Sequence, residues 1–128
     1  MRNIKVSELY VSIDGDDVGK KLTEIIYKSH DEGLISNFSD EVINIFQKVN
    51  KWVSNNGGRV LFCAGDSILY KISTSLIDES INEFDKELFT VTVGIGNSIV
   101  KAHWALNIAK SMGKNQVLYF HEIEDMYL

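Results

Sequence analysis

Apolar and polar residues alternate from Leu9 to Asp14, placing Leu9, Val11 and Ile13 on one face and Tyr10, Ser12 and Asp14 on the other. That two-residue period predicts a strand with one covered face. The strand runs into an acidic loop, Gly15-Asp16-Asp17-Val18-Gly19, and Val18, Leu22, Ile25 and Ile26 then recur at helical spacing. His30 to Asn37 reads as a loop. A second helix is predicted by Val42, Ile45, Phe46, Val49, Trp52 and Val53. It stops at Asn55-Asn56-Gly57-Gly58, because glycine and asparagine tolerate positive φ.

Two short apolar runs, Arg59 to Ala64 and Ser67 to Ile72, flank Gly65-Asp66 and read as a hairpin. Ser75 is placed to cap a third helix carrying Ile77, Ile81, Phe84 and Leu88. Phe89 to Gly96 reads as a strand with Phe89, Val91, Val93 and Ile95 inward. Its outward row, Thr90, Thr92, Gly94 and Gly96, is small and polar, as expected of a surface that something else approaches. A fourth helix spans Ile99 to Met112, closed by Gly113, and Gln116 to Phe120 forms a last strand. The order β-α-α-β-β-α-β-α-β predicts an α+β, ferredoxin-like domain. Its sheet is antiparallel-rich, with helices on one face and the other face open.

The 128 residues fit one domain, residues 1–128, with no proline and no low-complexity linker to divide it. No apolar run is long enough to span a bilayer, and Met1 to Lys5 lacks the apolar core of a signal peptide, so the expected compartment is the cytoplasm, without membrane insertion. Cys63 is the only cysteine, which excludes an internal disulfide and a multi-cysteine zinc site. A net charge of -5 argues against sequence-independent binding of long nucleic acid, which needs many phosphate contacts. A single nucleotide needs only a few basic groups and stays open.

Asp14 ends the first strand on the predicted open face, and Asp66 sits in the hairpin turn. If those strands are neighbours, the two carboxylates converge as hard oxygen ligands suited to Mg²⁺. Two such ions serve in-line displacement at phosphorus. The plainer alternative is that Asp-Gly and Gly-Asp are common turn dipeptides in solvated loops. The backbone of Asp16, Asp17, Val18 and Gly19, at a helix start, can cradle phosphate oxygens. Lys110 and Lys114, four apart near a helix end, can neutralise outer phosphates, or simply answer the helix dipole. His30, His103 and His121 have no ligand spacing. Trp52 and Trp104 fit helix core stripes, Cys63 fits the core of the hairpin, and Asp31-Glu32, Asp78-Glu79 and Glu122 to Asp125 read as solvated faces.

Three segments carry a family resemblance. Tyr10-Val11-Ser12-Ile13-Asp14-Gly15-Asp16-Asp17-Val18-Gly19 resembles the first metal motif of palm-type cyclases and of the palm in the large subunit of type III CRISPR effectors. Cys63-Ala64-Gly65-Asp66-Ser67 resembles their Gly-Gly-Asp-Asp or Gly-Gly-Asp-Glu-Phe hairpin. Ala109 to Val117 resembles the Ala-Lys-x-x-Gly-Arg-Asn-x-Val segment of diguanylate cyclases. In this order and at this small size, the chain looks most like the minimal CRISPR polymerases, stand-alone palm proteins of anti-phage defence loci.

The resemblance implies that Asp14, Asp66 and the Gly15 carbonyl hold Mg²⁺ or Mn²⁺. Asp16, Gly65 and Ser67 would support the site, and Lys110 and Lys114 would bind phosphate. It implies a pyrophosphate-releasing nucleotidyltransferase that makes a cyclic dinucleotide or oligonucleotide signal, in a homodimer with facing sites, for a separate effector to read. Three positions depart from the pattern. Ser67 stands where a second acid is usual, and Lys114 replaces an arginine. Counted without gaps, Leu22 falls where diguanylate cyclases read guanine with asparagine, which turns the expected substrate from GTP to ATP. A mononucleotide cyclase and a catalytically degenerate nucleotide-binding palm are the alternatives.

Overall fold

A computed structural model describes residues 7–127. The Met1 to Lys5 stretch lies outside the described residues. Five strands, β1 (Glu8–Gly15), β2 (Arg59–Ala64), β3 (Ser67–Ser73), β4 (Val91–Gly96) and β5 (Val117–Tyr119), form one sheet in the order β2-β3-β1-β4-β5. The first four pair antiparallel, and β4 pairs with β5 in parallel. The helices are α1 (Val18–Ser29), α2 (Glu32–Asn55), α3 (Ile77–Asn82), α4 (Ile99–Ser111) and α5 (Phe120–Tyr127).

One sheet face presents Val11, Ile13, Ile68, Tyr70, Ile72, Val93 and Ile95, all fully buried. Against it lie Phe46, Val49 and Val53 of α2, with Ile77 and Ile81 of α3. Phe46 stacks on Phe89 and meets Phe84 edge-on at 5.1 Å. Burying each ring is worth roughly 2–3 kcal/mol. Within β1 to β4, the helices α1, α2 and α3 do cover one face, as expected of a ferredoxin-like core.

The other face is not open along its length, which corrects the expectation. The parallel β4-α4-β5 crossover carries α4 onto it, with α5 beside α4. The small outward row of β4 is what admits this helix. A Cβ on Gly94 would lie 2.1 Å from the Leu106 nitrogen and 2.3 Å from the Ala102 oxygen. Ala102, Ala105 and Ala109 complete the contact with no exposure.

Several boundaries shift. The stretch expected to be a loop, 30–37, is mostly the first turns of α2. Asp31 caps that helix by accepting from the Gly33 and Leu34 N–H groups, and only His30, at φ 52°, and Asp31 separate it from α1. Asp31 is therefore a cap, not merely a solvated charge. Ser75 caps nothing. It sits within the short 3₁₀ turn Thr74–Leu76, and α3 ends before Phe84 and Leu88, which pack into the core from beyond it. Ile26 and Trp104, placed on core stripes by spacing, are 42% and 52% exposed. Trp104 instead lies against Phe120 of α5, a helix the sequence reading did not anticipate.

Candidate active site

The site forms where β1 ends. Register puts Asp14 between Ser67 of β3 and Thr92 of β4. The Gly15 N–H donates to the Asp66 carbonyl at 2.8 Å, and the Asp16 N–H donates to the Thr90 carbonyl at 2.8 Å. The loop after β1 is thus tied on one side to the hairpin turn and on the other to the start of β4. The hairpin itself turns on Gly65, at φ 59°, which glycine adopts without strain.

Asp14 and Asp66 are both half-buried. A Cβ on Gly15 would lie 3.3 Å from the Asp66 Cβ, so the glycine lets the hairpin acid close against the end of β1. Ser67 Oγ donates to Asp14 Oδ1 at 2.7 Å, and the Lys110 ammonium pairs with Asp14 Oδ2. Two carboxylates next to a backbone carbonyl supply hard oxygen donors. That set is too small to cage an ion alone but suits Mg²⁺, which keeps waters and takes phosphate oxygens as further ligands. Among the described residues no three His, Cys, Asp or Glu groups gather to hold a metal by themselves. The donor types present, carboxylate and backbone carbonyl, are those such an ion takes.

Asp16, two residues on, has a different environment. It is 7% exposed, and its carboxylate accepts from Thr90 Oγ1 and Thr92 Oγ1, each at 2.6 Å, and from the Asn115 N–H at 3.0 Å. Its side chain faces the interior, and its N–H, expected to join a phosphate cradle, is taken by the Thr90 carbonyl. Asp17 is exposed, left-handed at φ 55°, and 2.5 Å from the Lys114 ammonium. The hydrogen bond and charge of Lys114 hold the Asp17 carboxyl below its ordinary range, and Asp17 in turn raises Lys114. Lys114 is not on the α4 face with Lys110. It lies beyond the helix end, at φ 61°, and reaches Asp17 of the acidic loop, while Lys110 reaches Asp14 near the end of β1.

Val18 and Gly19 open α1 and border a cavity of about 310 Å³ between α1, α2 and the hairpin turn. Gly65 and Asp66 of the hairpin turn line it too, with Leu22, Phe38, Ser39, Val42 and Ile43. Sequence reasoning missed Phe38 and Ser39, because they lie between the stretch read as loop, which ends at Asn37, and Val42, the first residue of the predicted helix stripe. It also missed Asn115 as a partner of Asp16, since a contact 99 residues apart leaves no local signal. His103 and His121 are exposed and His30 ends α1, so the histidines stay outside the site.

Comparison with known proteins agrees with this fold. The model of the minimal CRISPR polymerase domain matches residues 10–120. The GGDEF domain of DgcB from Caulobacter crescentus, in complex with c-di-GMP, superposes with TM-score 0.64 at 16% identity, over 89% of this chain and 78% of that one. The active GGEEF domain of a diguanylate cyclase from Vibrio cholerae gives 0.59 at 17%, over 88% and 82%. A Csm1–Csm4 cassette in complex with one ATP gives 0.67 at 14%, over 86% of this chain but 20% of that one. No curated protein sequence matches the chain. At these identities the structural likeness establishes a shared fold. No helix among the described residues is long and apolar enough to cross a membrane.

Proposed function

The chain belongs to the minimal CRISPR polymerase family, and from that premise we propose that it is a metal-dependent nucleotidyltransferase making a cyclic nucleotide from ATP. The observation that supports this reading is that Lys110 pairs with Asp14 and Lys114 with Asp17 at the sheet end where the Gly15 N–H bonds the Asp66 carbonyl, with Asp66 also lining the neighbouring cavity. In the proposed reaction a ribose hydroxyl attacks the α-phosphorus, the new P–O bond forms as the α–β anhydride breaks, and pyrophosphate leaves. Asp14, Asp66 and the Gly15 carbonyl would hold Mg²⁺ or Mn²⁺. When bound, the metal would offset phosphate charge and polarise the reacting phosphorus.

The chain's own groups do the rest. Lys110 and Lys114 exchange their carboxylate partners for oxygens of the outer phosphates as the triphosphate enters. The N–H groups of Val18 and Gly19 open α1 toward the same oxygens. The base enters the cavity, where Leu22 forms part of the wall. An apolar side chain there has no hydrogen bond to offer guanine, which favours ATP over GTP. One palm holds one triphosphate, so ring closure between two nucleotides is simplest in a two-fold dimer with facing sites. Family membership supports a place in anti-phage defence, with a separate effector reading the product.

Incubation with each NTP and Mg²⁺ or Mn²⁺, read by mass spectrometry, tests the proposal. A cyclic product from ATP, lost in a folded Asp66→Ala variant, is expected. A product of one nucleotide closed on itself would assign a mononucleotide cyclase. A second reading, a palm that binds nucleotide without turning it over, is favoured by Ser67, which occupies Asp14 Oδ1 where the family carries an acid. ATP binding without product from any NTP mixture would select it.

A further inference from the structure

The Asp16 carboxylate is buried, yet among the described residues no cation lies at hydrogen-bond distance from it. Three donors converge on it: the Thr90 and Thr92 hydroxyls and the Asn115 N–H. The Asn115 N–H is shared with Thr92 Oγ1 at 2.9 Å. A carboxylate accepts all three on its two oxygens, whereas an amide in its place would turn one of those oxygens into an NH₂ donor and break the pattern as it stands.

The segment it holds is an unfavourable one. Gly113, Lys114 and Asn115 take successive φ values of 119°, 61° and 48°. Left-handed backbone is easy for glycine and costly for lysine, and such geometry persists where surroundings over-determine it. Two ties do so here. The Lys114 N–H returns to the Ala109 carbonyl at 3.2 Å, fixing the turn to the end of α4, and the Asn115 N–H reaches Asp16 and Thr92, fixing it to the sheet. The left-handed turn is what points Lys114 at Asp17, since a lysine continuing α4 would lie elsewhere on that helix.

We propose that Asp16 is a positioning residue whose buried carboxylate clamps the left-handed Gly113–Asn115 turn to β4 and so sets Lys114, but not Lys110, for a nucleotide's outer phosphates. Lys110 stands on α4, which is held to β4 at Gly94 independently of the clamp. The clamp itself stands on the geometry, while its consequence for phosphate rests on the nucleotidyltransferase reading above.

Two measurements test it. In Asp16→Asn, amide hydrogen exchange at Asn115 should accelerate about tenfold or more, the Val49 amide of α2 staying unchanged. Unchanged exchange at Asn115, or equal acceleration at Val49, overturns the clamp. Should Asp16→Asn not fold, Thr92→Val removes one acceptor of the same N–H and is read by the same ratio.

The second is a double-mutant cycle on ATP affinity in the presence of Mg²⁺. Lys114→Ala should weaken binding about tenfold in the parent and less than about twofold in Asp16→Asn, whereas Lys110→Ala should weaken both backgrounds alike. Additive effects for Lys114, or the same non-additivity for Lys110, overturn the positioning role. If the parent neither binds nor converts ATP, the nucleotidyltransferase reading and the positioning role fall together, and the exchange result still decides the clamp.

Discussion

The two faces of the sheet are built from opposite materials. One is filled by large side chains, with Phe46, Phe84 and Phe89 packed on Val11, Ile13, Val93 and Ile95. The other is emptied of them, so that Gly94 and Gly96 meet the backbone of α4 directly and alanines line the helix. The first face carries the larger cluster of buried side chains, and apolar burial is the main favourable contribution to folding. The second buries less, but it leaves α4 no freedom to slide, because backbone touches backbone. The lysine partner of Asp14 stands on the last turn of that helix. Stability and positioning are thereby assigned to different faces, and each can be perturbed without the other.

The largest effect should come from the filled face. Phe46→Ala removes a ring that is 1% exposed and leaves a void between α2 and the sheet, at a cost of about 3–5 kcal/mol. Denaturant titration should show that loss, with the folded fraction keeping the parent's ATP affinity. Gly94→Ala comes next. Overpacking usually costs about 1–3 kcal/mol, and here the clashing atoms are backbone, so the value should sit at the upper end. Unlike Phe46→Ala, it should also weaken ATP binding in molecules that remain folded, because α4 has to lift and carry Lys110 away. If both variants lose stability and keep affinity, the division between the faces is wrong.

That division also marks what the sequence discloses. Big apolar residues at a period of two or near four are strong signals, and β1, the hairpin and the core stripe of α2 follow from them. The small face writes almost nothing into the hydrophobic pattern. Thr90, Thr92, Gly94 and Gly96 signal a close approach, but not that the neighbour is α4 of the same chain. The start of α2 was hidden because Gly33, Ser36 and Asn37 look like loop residues. Only Asp31, a good cap, and Phe38, at 6% exposure, betray the helix. Within the site, Asp14, Asp66, Lys110 and Lys114 could be picked from motif order. The burial of Asp16 could not, since its Thr and Asn partners are distant in sequence and become donors to it only when β4 lies beside β1.

A smaller effect tests a polar seam in the filled face. Tyr70 is fully buried, its hydroxyl 2.6 Å from Ser80 Oγ, which in turn donates to the Ile77 carbonyl. Tyr70→Phe should cost about 1 kcal/mol at neutral pH, since Ser80 keeps one partner. Burial holds the phenol far above its ordinary range, against a smaller opposing contribution from Ser80. A raised folded-state value means that the stability it contributes is fully present below the unfolded tyrosine value of about 10 and is lost as pH rises beyond it. The gap between parent and Tyr70→Phe should therefore narrow in alkaline unfolding experiments. A constant gap would mean that water reaches the hydroxyl.

The smallest stability effect belongs to the exposed ion pair beyond the end of α4. Lys114 and Asp17 are 42% and 48% exposed, and an exposed pair is screened by salt and offset by side-chain entropy. Lys114→Ala should leave the melting temperature unchanged within error while weakening ATP binding. In the parent, Lys114 holds Asp17 below the ordinary carboxylate range, so whatever the pair contributes is present above that range and is lost as pH falls through the lowered value. The Asp17 titration, followed by NMR, should move back up in Lys114→Ala. A melting temperature several degrees lower in that variant would mean that the charges, rather than Gly94 and Gly96, hold the end of α4 in place. Positioning would then belong to the acidic loop, and the small face would be only a consequence of it.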